Sequence, residues 1–379
     1  MLSLKQKIES VMHADNAIST APLASLLYGI SAVYAAAQKL RAFGYRQRLL
    51  PSRGLPCRVI SIGNITVGGT GKTPMTIYVA RKLQHWGARV AVVSRGYKGG
   101  AEKSGGIVSD GQNLLMNADR AGDEPYLMAS RLQGIPVVVG KKRYEAGLRA
   151  IREFHADIIV LDDAYQHLKL KRDINLILLD HDRPFGNFHL LPRGTLREPP
   201  AALARASACI LTRSPQATDN EVPGKCSEIK SVMPQLPVFR SFHAPYFYLV
   251  KSGLSTPVDK ISEFLLPAKL DEFKQRRVFG FSGIARNDDF QRTVGAAGFN
   301  AAGYRDFADH HRYSRKDMED IEQAAQAAGA NCLVTTEKDH ARITRQMPLS
   351  MDLLVVGVRI GFCGDGDEFI AFIQRFLQP

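Results

Sequence analysis

Thr66, Val67, Gly68, Gly69, Thr70, Gly71, Lys72 and Thr73 form one continuous stretch whose residue types suit the gripping of a phosphate chain. A glycine loop that opens a helix aims backbone N–H groups and the positive end of the helix at an anion. In such a nucleotide cradle Lys72 reaches the β- and γ-phosphates, and the Thr73 hydroxyl can ligate Mg²⁺. The first glycine of the common pattern G-x-x-x-x-G-K-[ST] would fall on Thr66. The local run is closer to the variant K-G-G-x-G-K-T, with Val67 where that variant has lysine. A strand-to-helix glycine turn with no ligand is the competing explanation, and the flanking apolar run and helix argue against it.

Asp162 and Asp163 close the segment Asp157-Ile-Ile-Val-Leu-Asp-Asp163, an apolar strand running into carboxylates. A strand-terminal Asp beside a phosphate loop can hold Mg²⁺ directly or through water. Gln166 and His167 follow in the same loop. Asp123 and Glu124 precede Pro125 at a helix start. There they can cap the helix, or a carboxylate can take the proton of a hydroxyl being phosphorylated; spacing does not separate the two. Arg193, Arg197 and Glu198 share a later loop. Guanidinium groups suit phosphate and Glu198 can assist a metal, though a solvated surface loop would read the same. Asp309-His310-His311 places imidazole beside carboxylate, and Thr336-Glu-Lys-Asp339 reads as a helix cap.

These groups need a scaffold that gathers them at one end of a sheet. Continuous apolar runs at 59–63, 89–93, 135–139, 157–161, 174–179 and 208–211 alternate with amphipathic segments at 73–86, about 124–132 and 143–154. That is the signature of a P-loop NTPase-like α/β fold: a mostly parallel sheet with helices on both faces. Residues 105–116 read as a hairpin around Asp110-Gly111, and the short 163–174 interval leaves the strand order there open. Residues 214–235 lose periodicity, and 237–243 and 246–251 read as extended connectors. A second alternation follows, with strands at 277–282, 300–305, 331–335 and 352–357 and helices at 287–297, 315–328, 338–346 and 367–377. The expected organisation is an N-terminal segment 1–50, a P-loop domain 51–235, a linker 236–276 and a smaller α/β domain 277–379.

Residues 21–37 carry no charge and precede Lys39, Arg41, Arg46, Arg48, Arg53 and Arg58. The run is short for a bilayer crossing and starts too far in for a signal peptide. A membrane-associating interfacial helix with a cationic flank fits, and so does a helix packed on the domain behind it. The formal net charge is +13, and no basic tract or zinc finger points to nucleic acid, so a lipid surface and an anionic substrate rank first. Five scattered cysteines make no metal pattern and suit a reducing compartment.

Taken together, Gly63–Pro74, Ser94-Arg-Gly-Tyr97, Gly122-Asp-Glu-Pro-Tyr126, Leu161-Asp-Asp-Ala-Tyr-Gln-His167, Leu190–Pro199, Phe281-Ser-Gly283, Asp309-His310 and Thr336–Asp339 resemble the tetraacyldisaccharide 4′-kinase family, in order and over nearly the whole chain. Ala164-Tyr165 departs from the family's usual Gly-Phe, and Ala restricts a turn with positive φ. The resemblance implies transfer of the ATP γ-phosphoryl group to the 4′-hydroxyl of a lipid A disaccharide 1-phosphate. It implies work at the cytoplasmic face of the bacterial inner membrane, peripheral or monotopic, with no obligate protein partner. Residue by residue, Lys72 and the loop would bind ATP, and Thr73, Asp162 and Glu198 would serve Mg²⁺. Asp123 would be the base, helped by His310 on domain closure. Glu124, Asp163, Gln166, His167 and Arg197 would line the site. The alternative from another class is a P-loop switch ATPase of the partitioning or chaperone type, against which Val67 counts.

Overall fold

The computed structural model describes residues 4–13, 22–216, 223–253, 265, 267–343 and 348–377. Residues 254–264 of the expected linker, 217–222 of the expected boundary and 344–346 of the expected helix lie outside them. The described strands, in chain order, are β1 Arg58–Gly63, β2 Val90–Ser94, β3 Gly106–Ser109, β4 Val137–Val139, β5 Ile158–Asp162, β6 Ile174–Asp180, β7 Ala208–Thr212, β8 Val238–Val250, β9 Arg277–Ser282, β10 Asn300–Asp306, β11 Cys332–Thr336 and β12 Asp352–Phe362. They make a mixed, mostly parallel α/β architecture. The chain forms two compact units that interleave in sequence. One comprises Met1–Ser94, Arg143–His243 and Ile360–Pro379, the other Arg95–Lys142 and Ala244–Arg359. The contiguous ranges 51–235 and 277–379 do not coincide with them, because 95–142 packs with the later unit and 360–379 with the earlier one.

In the first unit the strands lie in the order β2-β5-β1-β6-β7-β8, each pair parallel. Val59 to Ile62 of β1 and all of β5 and β7 are buried, which is why these strands read as unbroken apolar runs. Ile60 stands opposite Val160 of β5 and Ile174 of β6, so β5 and β6 flank β1. The 163–174 interval therefore crosses over β1 without a helix. Helix Lys72–His85 lays Met75, Val79, Ala80 and Leu83 inward and ends before Gly87, at φ 85°. A core of Ile65, Tyr165, Ile177, Leu179, Phe185 and Leu211 fills the other face.

In the second unit β10, β9, β11 and β12 are neighbours in that order and pair in parallel, while β3 pairs antiparallel with β4. The expected 105–116 hairpin is reduced to an isolated antiparallel Ser109–Leu114 bridge, with Leu115 N donating to the Val108 carbonyl at 2.8 Å. The segments 237–243 and 246–251 are one strand, β8, and not connectors. Pro245 splits the apolar run because it offers no N–H to a ladder, and the strand tolerates it at an exposed position. Helix Asp123–Arg131 packs on helix Glu337–Ile343 within this unit. Thr336 caps the latter helix as expected, its Oγ1 accepting from the Asp339 backbone N–H at 3.1 Å.

Candidate active site

In the first unit, β1 delivers the chain into a loop whose backbone turns left-handed at Gly68 (φ 105°) and Gly71 (φ 81°). Gly71 is the N-cap of helix Lys72–His85 and no side chain caps it, so the helix presents its first N–H groups outward. The loop is braced from several sides. Asn64 Nδ2 donates to Thr70 Oγ1 at 2.9 Å, and Val67 N donates to the Thr195 carbonyl at 2.8 Å. Arg213, at the carboxyl end of β7, donates to the Gly69 carbonyl and pairs with Asp180.

Lys72 Nζ lies 3.8 Å from Asp163 Oδ1, and Arg197 Nη1 approaches both Asp163 oxygens at 3.2 Å. Asp163 thus joins Lys72 to one of the loop arginines. The positive φ of this turn falls on Asp163 itself (φ 45°) and not on the next residue, so Ala164 carries no strain from replacing glycine. Asp162 is buried at the end of β5. Its Oδ1 accepts from Thr76 Oγ1 at 3.3 Å and its Oδ2 from Ser94 Oγ at 3.0 Å. Gln166 Nε2 donates to the Asn64 carbonyl at 2.8 Å, tying the acidic loop to the cradle. His167 is held neutral: burial, then Arg143 and other nearby cations, pushes its pKa down to about 4.

Glu198 lies buried in the loop after Arg197, with one carboxylate oxygen paired and the other, Oε1, without a hydrogen-bond partner among the described residues. Oε2 accepts from Arg205 Nη2 at 2.6 Å. Among the described residues no three His, Cys, Asp or Glu side chains gather to hold a metal ion. Magnesium takes few protein ligands and keeps waters beside substrate phosphates, so a hydroxyl such as that of Thr73 and a carboxylate such as Asp162 suffice to hold it without a protein cage.

In the second unit Asp123 is the first residue of its helix, behind the N-cap Gly122, and makes no capping bond. A Cβ on Gly122, at φ 89°, would lie 2.9 Å from the Tyr97 carbonyl, so glycine is required where the chain turns into the helix. Freed from capping, Asp123 Oδ2 accepts from Arg342 Nε at 2.8 Å and lies 2.9 Å from His310 Nδ1. His310 has φ 63°, and its N–H donates to the Gly283 carbonyl. Burial raises the Asp123 pKa, but the His310 hydrogen bond and the Arg342 cation outweigh it and leave the carboxyl below its ordinary range. Glu124, next along, is paired with Lys338 at 2.7 Å. The Asp123 side chain therefore bonds His310 and Arg342 and not the N–H groups of its own helix.

Sequence reading passed over Arg342, Arg213 and Arg205. Arg342 lies three residues after Asp339, on the same helix face, and Arg213 directly follows an apolar strand, where ligands of open sheets bind.

A family model described as tetraacyldisaccharide-1-P 4′-kinase matches residues 23–378. A tetraacyldisaccharide 4′-kinase of Desulfatibacillum aliphaticivorans is 38% identical over 382 residues, spanning 100% of this chain and 99% of the relative. One of Pelobacter propionicus is 41% identical over 321 residues, covering 85% and 83% of the two chains. A crystal structure of LpxK from Aquifex aeolicus in complex with ATP superposes with a TM-score of 0.71 at 29% identity, covering 94% of this chain and 100% of that one. With that extent of match and the cradle and carboxylates in place, the chain belongs to the tetraacyldisaccharide-1-P 4′-kinase family.

Proposed function

We propose that the chain transfers the γ-phosphoryl group of ATP to the 4′-hydroxyl of a tetraacylated disaccharide 1-phosphate, with Lys72 and Asp123 as the residues that matter most. The observation that carries this reading is the presence in one chain of two devices: a phosphate cradle with Lys72 at its mouth, and an Asp123–His310 pair suited to a hydroxyl proton. The 4′-oxygen attacks the γ-phosphorus, the bond to the β-phosphate bridging oxygen breaks, and ADP leaves. The hydroxyl proton passes to Asp123, whose charge His310 and Arg342 stabilise. Lys72 and Arg197 offset charge on the γ-phosphoryl oxygens. Thr73 and Asp162 are the residues that would hold Mg²⁺, which when bound neutralises phosphate charge.

The same reading assigns the helix Pro22–Arg46 to a lipid surface at the cytoplasmic face of the inner membrane. Leu26, Ile30, Val33 and Leu40 form an exposed stripe at helical spacing, while Ala24, Leu27 and Ser31 face inward. Ser31 Oγ donates to the Leu190 carbonyl and Tyr34 to that of Arg197, fastening the inner face to the arginine loop. No helix among the described residues is long and apolar enough to cross a membrane. An apolar stripe followed by Lys39, Arg41 and Arg46 suits lying in an anionic interface.

The test is γ-labelled ATP with Mg²⁺ and detergent-dispersed tetraacyldisaccharide 1-phosphate. Label is expected in the lipid fraction, with ATP turnover dependent on added lipid. Lipid-independent hydrolysis would overturn the reading and favour a switch ATPase.

A further inference from the structure

The Asp123 carboxylate is asymmetric. Oδ2 takes both of its partners, His310 Nδ1 at 2.9 Å and Arg342 Nε at 2.8 Å, while Oδ1 makes no hydrogen bond among the described residues and the side chain is 22% exposed. Only one of the two oxygens is thus offered to a substrate. The guanidinium that enforces this is itself fixed. Arg342 is 5% exposed, and its Nη1 donates to the Gly283 carbonyl at 2.7 Å and to Asp339 Oδ1 at 2.9 Å. Asp339 is fully buried and accepts in turn from Gly283 N at 3.2 Å, Tyr313 Oη at 3.1 Å and Thr336 Oγ1 at 2.6 Å. Gly283 also receives the His310 N–H at 3.1 Å, so both partners of Asp123 hang from the loop that follows β9.

We propose that Arg342 is the positioning residue of the phosphoryl-acceptor side, holding Oδ2 of Asp123 so that Oδ1 is the oxygen that meets the attacking hydroxyl. This deepens the assignment of Asp123 as proton acceptor and rests on it. The rigid fork of a guanidinium can serve Asp123, Asp339 and the Gly283 carbonyl at once, and an ammonium cannot. Releasing Arg342 has two opposed effects. Asp123 becomes a stronger base, and its carboxylate is free to rotate. Phosphoryl transfer depends on placement more than on base strength, so the loss of placement dominates and turnover falls.

The groups facing Asp123 are His310 and Arg342. Asp339 and Tyr313 lie behind Arg342, Asp309 is 3.8 Å from His310 Nε2, the Tyr97 ring meets the His310 ring edge-on at 6.3 Å, and the Lys338–Glu124 pair is next along the helix. Arg342→Gln removes the cation and the fork; Arg342→Lys removes the fork alone.

The experiment measures kcat, the KM for ATP and the pH–rate profile of wild type and both variants with detergent-dispersed tetraacyldisaccharide 1-phosphate, with thermal unfolding alongside. In both variants kcat is expected to fall by about 30- to 100-fold with the KM for ATP changed less than about threefold. The acid limb is expected to move to higher pH in Arg342→Gln and less in Arg342→Lys, because only the former loses one of the charges that, beside His310, lower the Asp123 pKa. A folded variant with kcat within about twofold of wild type and an unmoved limb would overturn the proposal. If neither folds, Asp339→Asn, which loosens Arg342 from behind, is read by the same criteria. Failure of all three to fold would assign Arg342 to the core and overturn it too. An inactive wild type would instead sink the kinase reading, so the two failures are distinguishable.

Discussion

Lys72 Nζ lies 3.8 Å from Asp163 Oδ1, so the lysine at the mouth of the phosphate loop is tethered to the acidic loop that closes β5. Arg197 holds the other flank of the same carboxylate. Phosphoryl transfer relies on positioning and charge neutralisation, and in the proposed reaction this triad would set the charge that a triphosphate meets. Lys72→Ala is expected to lower kcat by at least about 10³-fold. Asp163→Asn should cost less, because Lys72 and Arg197 remain. Steady-state kinetics with labelled ATP reads both.

Asp123→Ala is expected to leave measurable activity, with kcat about 10²- to 10⁴-fold down and ATP affinity largely kept. Equilibrium nucleotide binding on the variant separates the two effects. A kinetically silent substitution would remove Asp123 from the mechanism.

Gly71 cannot carry a side chain. Its φ of 81° is left-handed, and a Cβ there would lie 2.6 Å from His243 Nε2. Gly71→Ala is expected to destabilise the fold by about 1–3 kcal/mol and to weaken ATP binding, since the loop must shift. Thermal unfolding with and without ATP checks this: the stabilisation that ATP confers on wild type should shrink.

His340 is fully buried, its Nδ1 3.0 Å from the Tyr248 hydroxyl and its Nε2 without a hydrogen-bond partner among the described residues. Burial, aided by the Arg131 cation, pushes its pKa down to about 3. The unfolded chain binds that proton near pH 6.5 while the folded chain does not. The unfolded state therefore holds more protons between about pH 3 and 6.5, so stability rises with pH through that window and levels off above it. One such histidine is worth about 2 kcal/mol between pH 7 and pH 5. His340→Gln should flatten the slope of unfolding free energy against pH, whatever it does to stability at pH 7.

Val33→Glu and Leu40→Glu lie on the exposed stripe of helix Pro22–Arg46, at 73% and 72% exposure, so neither should change folding. Both are expected to reduce co-sedimentation with vesicles containing anionic lipid by at least about fivefold. Retained binding would move the membrane contact elsewhere.

Strands β1, β5, β6 and β7 were legible because burial on both faces writes them as unbroken apolar runs, and the Lys72 cradle because strand, glycines and helix follow one another locally. Asp162 and Asp163 were legible for the same reason. What sequence left open was non-local. Asp123 could not be told from a helix cap until its partners appeared, and those come from His310 and Arg342, about two hundred residues on. The Arg205 partner of Glu198 was hidden because nothing nearby in sequence marks that arginine as its ion-pair partner. The interleaving of the two units was hidden because residues 95–142 look like a continuation of the first alternation, while helix Asp123–Arg131 packs on helix Glu337–Ile343.

The most direct measurement is the ³¹P spectrum and mass of the lipid recovered after incubation with ATP and Mg²⁺. Wild type is expected to yield a disaccharide bearing two phosphomonoesters, the new one on the 4′ carbon, with one ADP formed for each, and Lys72→Ala to yield none. ATP consumed to ADP and inorganic phosphate while the lipid keeps its original mass would contradict the transfer of phosphate to a sugar alcohol.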